Sequence, residues 1–447
     1  GSFFNPGPYS GYLAITLPVA LGILLEQSKR NMPYYLSMGC IGTAIVVLPA
    51  GMSRSAWIAV VVSCAWVYDL YSLDRTQAAT RLRQHKRWYI IGGILGGILL
   101  LGGSASLYTL KKDSADGRFL MWKITTKAIQ KQPITGTSLG GFPAAYAETQ
   151  AEYMASGKAT EQEKLVAGCP EYAFNEYLQI GLEQGLVGLA LFIGWLGLLF
   201  YKGIKNKRYA CCGGLMSLAI FAFSSYPLQL PEFWVVLIFL GVMSVTPDKD
   251  EIRENQAESN GHRWGKQIFF MGIAILGIGL FWMQKDHYKA YQQWNKAQMY
   301  YKNKAYEAAL EVYEPLYPLL KHKPEFLFEV AQCLSKTGRY EKANGYLERA
   351  VLLSSDPMLY YVMAKNEQCL GEYRQAEKHL LHAIDILPER IYPYYLLMNL
   401  YTEPSYFQPA KLKMAIDSVL TKKPKVESSA IKEMKEKARS MLNNTSI

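Results

Sequence analysis

The feature that most constrains this chain is where its apolar residues lie. The first 284 of its 447 residues form a series of long apolar runs, and residues 285–447 hold none long enough to cross a bilayer. A membrane-spanning helix needs roughly 20 mostly apolar residues, and in lipid each backbone polar group must be paired within its own structure. Eight runs approach that length: 11–25, 34–51, 56–73, 89–110, 178–201, 209–226, 233–245 and 267–283, the first and seventh being the shortest. The expected fold class is all-α, a polytopic transmembrane helix bundle followed by a helical domain outside the bilayer. The expected divisions are a membrane domain at 1–246 with a large outer loop at 111–177, a cytoplasmic linker at 247–266, a last transmembrane helix at 267–284 and a repeat domain at 285–447. The chain opens on Gly1 without a signal peptide. Its first residues read as the interior of a motif, so further spans are expected upstream.

The formal net charge is +11. In a soluble protein that surplus would suggest nucleic acid. Here much of it sits in short loops between apolar runs, where it reads as a topology signal, and no nucleic-acid partner is expected. Lys29 and Arg30 follow the first run. Arg75, Arg81, Arg83, Lys86 and Arg87 follow the third, Lys202, Lys205, Lys207 and Arg208 the fifth, and Lys249, Arg253, Arg263 and Lys266 the seventh. Every second loop is basic, which places those loops in the cytoplasm. The loop 111–177 and everything after 284 then lie on the opposite side. The seven cysteines are scattered, which excludes a disulfide scaffold.

Beyond the last run a period near 34 is visible. Gly338, Tyr340, Ala343, Leu347 and Ala350 recur 33 positions later as Gly371, Tyr373, Ala376, Leu380 and Ala383. Tyr306, Ala309 and Tyr313 give an earlier unit, offset 34 from Tyr340. Glycine suits the tight turn between two helices, alanine lets them approach, and leucine fills the space between units. These spacings resemble tetratricopeptide (TPR) repeats, with three recognisable units and a degenerate fourth around 392–420. A Lys- and Glu-rich helix near 428–442 is placed to cap the stack. The repeats offer a concave surface for a protein partner, or serve as a spacer.

Arg54 lies on the non-basic side, so the topology signal does not explain it. It either snorkels to lipid phosphates or clamps an anionic group, since guanidinium pairs bidentately with phosphate and stays charged. Arg118 opens an amphipathic helical pattern over 118–131. The turn-rich stretch 133–143 is either a surface loop or a mobile active-site segment. Asn175, Glu176 and Gln179 sit at the outer mouth of the run at 178–201. Glu176 suits a general base there, or is a solvated interfacial carboxylate. Glu183 lies within the apolar run and reads first as a paired structural glutamate. None of the six histidines has ligand spacing with Cys or carboxylate, so no metal and no cofactor is expected. His379 and His382 read as solvated helix residues.

The ordered set Asn5, Gly7 and Gly11, then Ser53, Arg54, Ser55 and Trp57, then Arg118 with Trp122, then Pro133, Gly136, Gly140 and Phe142, then Asn175, Glu176, Gln179, Glu183 and Gly185 resembles the O-antigen ligase and polymerase superfamily. The resemblance covers residues 1 to about 245. Fusion to TPR repeats is similar to the arrangement in some bacterial members.

The resemblance implies a metal-independent inverting glycosyltransferase of the bacterial inner membrane, with its repeats in the periplasm. The implied donor is a glycan on undecaprenyl diphosphate, and the implied acceptor is lipid A-core or protein. Arg54 and Arg118 map to the family's diphosphate-binding arginines. Family members often carry a histidine just before the asparagine, proposed as base; here that position is Phe174. Glu176, with Asn175 orienting the acceptor, is the expected replacement. O-antigen polymerase and protein O-oligosaccharyltransferase share the chemistry, and a non-enzymatic membrane-anchored TPR scaffold is the reading from another class. The topology has a direct check. An alkaline phosphatase fused to the C-terminus is expected to be active and a cytoplasmic reporter silent; the reverse outcome overturns the assignment.

Overall fold

The computed structural model describes residues 5–75, 112–247, 263–424 and 426–444. The expected span at 89–110 and the basic residues Arg81, Arg83, Lys86, Arg87, Lys249 and Arg253 lie outside the described residues. Those described are helical, with no strand among them. They fall into two compact units, one of Gly1–Ser138 with Tyr172–Gly261, the other of Leu139–Glu171 with His262–Ile447.

In the first unit, α1 (Pro6–Glu26), α2 (Met32–Val47) and α3 (Arg54–Arg75) open the chain. Helix α4 (Lys112–Lys131), the short α7 (Glu176–Glu183), α8 (Gly185–Lys205), α9 (Tyr209–Ala222) and α10 (Pro231–Val245) complete it. The segments Pro6–Glu26, Met32–Gly51, Arg54–Ser72 and Gly185–Lys205 are long and apolar enough to cross a membrane; α9 and α10 are apolar but shorter. Asn5 starts α1 by accepting from the Gly7 amide at 3.0 Å, and a proline in the first turn presets the backbone. Without packing pressure from water, helices in lipid associate through small residues that bring backbones close. A Cβ on Gly11 would strike the Phe221 ring, and one on Gly22 the Ala210 backbone, which seats α1 against α9. The buried Ser217 hydroxyl donates to the Ala14 carbonyl at 2.7 Å across the same seam.

The run at 178–201 is not one helix. It breaks at Gln184, and Gly185, at φ +70°, opens α8. The turn-rich stretch after α4 fills the break. Thr137 and Ser138 amides donate to the Leu182 and Glu183 carbonyls at 2.9 Å each, and the Leu186 amide donates to Pro133 O at 2.7 Å. Gly136, at φ +68°, lies against the Glu183 and Gly185 backbone, and Gly185 against the Ile134 carbonyl. Glu183 therefore ends a short helix before the span instead of lying within it.

The second unit holds α5 (Phe142–Ala155) and α6 (Glu161–Val166), then α11 (Arg263–Lys302), α12 (Tyr306–Tyr313) and α13 (Tyr317–Leu320). Three helix pairs follow, α14 (Pro324–Lys336) with α15 (Tyr340–Val351), α16 (Met358–Leu370) with α17 (Tyr373–Ile386) and α18 (Ile391–Leu400) with α19 (Pro409–Thr421), and finally the single cap helix α20 (Ser429–Asn444). The repeat period is reproduced in space. Gly338 and Gly371 sit in the turns at φ +77° and +79°, and Ala343, Leu347, Ala350, Ala376, Leu380 and Ala383 are all buried. The stretch 268–283 of α11 is helical, and the described side chains along it are exposed although almost all apolar. His379 and His382 are less solvated than their sequence context suggests: His379 Nδ1 lies 2.9 Å from the buried Glu367 carboxylate, and His382 Nε2 lies 3.5 Å from Glu148. Both partners come from other helices, which helical spacing does not show.

The backbone joint at Gly136 and Gly185 is testable. Alanine in the left-handed region costs about 1–2 kcal/mol before any collision, and at both positions the new methyl would meet backbone atoms that have no rotamer to change. Gly136→Ala and Gly185→Ala should each lower the thermal midpoint in detergent by several degrees or abolish folded protein, whereas Gly140→Ala, with open space around it, should carry only the left-handed penalty.

Candidate functional site

Two arginines from separate helices meet in the first unit. Arg54 is the first residue of α3, and Arg118 lies in the first half of α4. They are close enough that the Arg54 charge lowers the proton affinity of Arg118, after burial, with Tyr226 opposing. The Arg118 Nη1 donates to the Ser224 carbonyl at 3.0 Å, and the Ser224 hydroxyl donates to Ser55 Oγ at 2.6 Å, one residue from Arg54. Arg118 also stands 5.3 Å over the Phe174 ring. Among the described residues neither arginine has an acidic ion-pair partner. Both are half-buried, so this is an unneutralised pair of guanidinium groups held together by neutral contacts.

An aromatic wall flanks the pair. Tyr226 stacks on Tyr172 at 5.2 Å between ring centroids and meets Phe174 edge-on at 4.8 Å. Its hydroxyl accepts from Asn5 Nδ2 at 3.2 Å. Phe174 adopts φ +49°, uncommon for a bulky residue and of the kind that surrounding contacts must hold. Trp122 secures the adjoining backbone, its Nε1 donating to Ala173 O at 3.2 Å. Beside Ser224 an apolar pocket of about 420 Å³ is lined by Ser55, Ile58, Tyr177, Ala219, Ile220 and Phe223.

Asn175 and Glu176 lie next to this wall, and both are buried. Asn175 is the N-cap of α7, its Oδ1 accepting from the Leu178 amide at 3.1 Å. Glu176 is 1% exposed. Its two oxygens accept from the Leu228 amide at 2.6 Å and from Gln229 Nε2 at 2.9 Å, fastening the single turn Pro227–Gln229 to α7. Burial pushes the Glu176 carboxyl up to about 7, with the Glu183 charge adding and the hydrogen bonds from Gln229 and Leu228 opposing. The expectation of an interfacial, solvated carboxylate does not hold for Glu176 in this state. Glu183 accepts from Gln179 Nε2 at 3.1 Å, and Gln179 Oε1 accepts from the Ala173 amide at 2.8 Å, so the paired structural reading of Glu183 fits its surroundings.

Sequence reasoning passed over Tyr226, Ser224, Gln229 and Tyr172. The segment 224–232 lies about 50 residues from Glu176 in the sequence. Its Tyr-Pro and Leu-Pro pairs mark a turn, which was the one available signal. Among the described residues no group of three His, Cys, Asp or Glu is arranged to hold a metal ion.

Residues 39–193 match the family model described as O-antigen ligase. Residues 302–383 match that of anaphase-promoting complex, cyclosome, subunit 3. The chain thus carries an O-antigen ligase family domain in its membrane part, followed by a TPR-like region. Arg54, Arg118, Asn175 and Glu176 all fall inside the matched domain, whereas Ser224 and Tyr226 fall beyond it. Among solved structures, the type III secretion chaperone SycD of Yersinia enterocolitica in complex with a peptide of the translocator YopD is 16% identical, covering 36% of this chain and 98% of that chain with a TM-score of 0.23. The MamA protein is 16% identical over 34% of this chain and 88% of that chain, with a TM-score of 0.25. No curated protein matches the chain.

The raised Glu176 proton affinity has a consequence opposite to that of most carboxylates. Its folded value lies above its ordinary 4.5, so between about pH 4.5 and 7 the folded state binds more protons than the unfolded one. Its contribution therefore becomes less favourable as pH rises through that window, by up to about 3 kcal/mol for complete burial. Glu176→Gln preserves an acceptor for Leu228 and removes the charge. The variant should unfold at a higher temperature than wild type at pH 8 and at a similar one at pH 4.5; equal midpoints at pH 8 would contradict the burial argument.

Proposed function

We propose that the protein is an inner-membrane glycosyltransferase that moves a glycan from undecaprenyl diphosphate to an acceptor hydroxyl at the periplasmic face. The observation that carries this reading is the half-buried, unneutralised pair Arg54 and Arg118. Two cations held within mutual repulsion are unfavourable unless an anion joins them, and a diphosphate supplies at least two negative charges. The O-antigen ligase family match over the same residues supports the choice of chemistry.

In the proposed step the bond between the anomeric carbon and the diphosphate oxygen breaks as the acceptor oxygen bonds to that carbon from the opposite side. The electron pair of the broken bond leaves on the diphosphate. Arg54 and Arg118, fixed by Ser224, Phe174 and the start of α3, stabilise that developing charge without reorganising. The acceptor proton goes to a base. Glu176 is our assignment: a carboxyl held near 7 is half ionised at neutral pH, and a base works best with a proton affinity close to the ambient pH. Its oxygens are engaged by the turn Pro227–Gln229, so this role requires that turn to yield one of them when the acceptor enters. Asn175, by capping α7, sets where Glu176 stands.

Arg54→Ala and Arg118→Ala should each reduce glycan transfer about 10²–10³-fold, the usual loss for one donor to a developing anion. Arg54→Lys should recover little, because the bidentate fork is lost. Glu176→Gln should slow transfer about 10²–10⁴-fold with donor binding intact. The assay is transfer from lipid-linked donor by detergent-purified protein, with lipopolysaccharide and glycoprotein glycans profiled together in a deletion strain. Wild-type transfer by both arginine variants would remove the clamp, and unaltered glycans in the deletion strain would remove the proposed function.

A further inference from the structure

A segment of the outer loop belongs to the same compact unit as the repeats. Leu139–Glu171 leaves the membrane unit after Ser138 and rejoins it at Tyr172. Within the repeat unit its helix α5 packs along α17. Phe142 and Tyr146 stack and are buried. At the centre lies Gln150, fully buried, with every polar atom engaged. Its Oε1 accepts from the Tyr146 hydroxyl at 2.7 Å, and its Nε2 donates to Gly168 O at 3.1 Å and to Ile386 O at 2.8 Å. One side chain thus ties the start of the segment, the end of the segment and the last turn of α17. The Ser355 hydroxyl adds a bond to Pro170 O at 3.2 Å.

Both ends of that segment are covalently continuous with the walls of the arginine site. Before it, Thr137 and Ser138 bond to the last residues of α7. After it, Tyr172 stacks on Tyr226, the Ala173 carbonyl holds Trp122, and Phe174 lies beneath Arg118. A long loop left free between these ends would sample many conformations, and each raises the entropy that ordering the walls must overcome. We propose that the repeat domain acts in cis as the holder of this segment, with Gln150 as the positioning residue: clamping Leu139–Glu171 restrains the two stretches of chain that border the arginine site. A surface expected from sequence to receive a protein partner then already carries a piece of its own chain, and the repeats work on the site by restraint.

The physical consequence is that loosening the clamp should loosen Tyr172 to Leu178, residues that Gln150 does not touch. Gln150→Leu keeps the volume and leaves the Gly168 and Ile386 carbonyls and the Tyr146 hydroxyl without their buried partner. Amide hydrogen exchange of the full chain in detergent reads both regions. We expect about tenfold or faster exchange over 142–155, the order of one lost buried hydrogen-bond centre, with a parallel increase over 172–178. If 142–155 opens while 172–178 exchanges as in wild type, the coupling is wrong. A second variant does not depend on the core surviving: a flexible Gly-Ser insert of about six residues between Glu171 and Tyr172 leaves Gln150 in place. It should speed exchange over 172–178 alone, and an unchanged 172–178 overturns the proposal as well. Only the functional arm rests on the glycosyltransferase reading: the insert should lower kcat for transfer several-fold. Absence of any transfer by wild type would count against that reading while the exchange result stands on its own.

Discussion

The site depends on a backbone joint. The stretch from Pro133 to Ser138 fills the break between α7 and α8 through three main-chain hydrogen bonds, and glycines at 136 and 185 make the approach sterically feasible. Without the joint, α4 would end in an unanchored loop and α7 would run on into the span. With it, the helix that carries Arg118 and the helix that carries Asn175 and Glu176 are fixed to one another at their far ends. The restriction comes from backbone hydrogen bonds and steric fit, not from the charged side chains. That matters, because a pair of like charges can only be held by a frame already stable without them.

Much of the architecture could be read from periodicity. The spans near 6–26, 32–51 and 54–72 appear where the apolar runs lie, and the TPR spacing of Gly338 and Gly371 is met by helix turns at those glycines. Arg54 could be singled out because charge on the side expected to lack it needs a reason, whereas Arg118, an ordinary loop arginine by itself, is marked only by the resemblance. What could not be read is pairing at long separation. Glu176 meets Leu228 and Gln229, Arg118 meets Ser224, and Gln150 meets Ile386, 236 residues away; neither period nor propensity contains such information. The split at Gln184 was equally hidden, since the run through it is apolar on both sides and only the positive φ of Gly185, imposed by the opposing loop, separates two helices.

Burial is the second lesson of Glu176. From sequence a carboxylate at the mouth of a span looks like a group in water. Folded, it is enclosed, and its two oxygens are the attachment points of a turn that also delivers Tyr226 to the aromatic wall. The same desolvation that makes its ionised form unfavourable brings its proton affinity near neutrality. Anchoring and a raised proton affinity are therefore not exclusive: both follow from placing a carboxyl among two neutral donors in a dry setting.

Phe174 shows why a missing histidine need not mean a missing site. A side chain at this position is held at positive φ, lies under the Arg118 guanidinium and abuts Tyr226. An aromatic ring meets those geometric demands: its face attracts the cation, and its edge packs against the tyrosine. A protonated imidazole would meet the shape but add a third positive charge to Arg54 and Arg118. A neutral ring keeps the guanidinium oriented without adding to the repulsion between the two arginines. A phenylalanine at this position and a pair of arginines beside it are thus consistent with each other. Glu176, two residues along the chain and on the other side of the N-cap, is a carboxyl whose proton affinity burial raises towards neutrality, and its proposed role as base rests on that property.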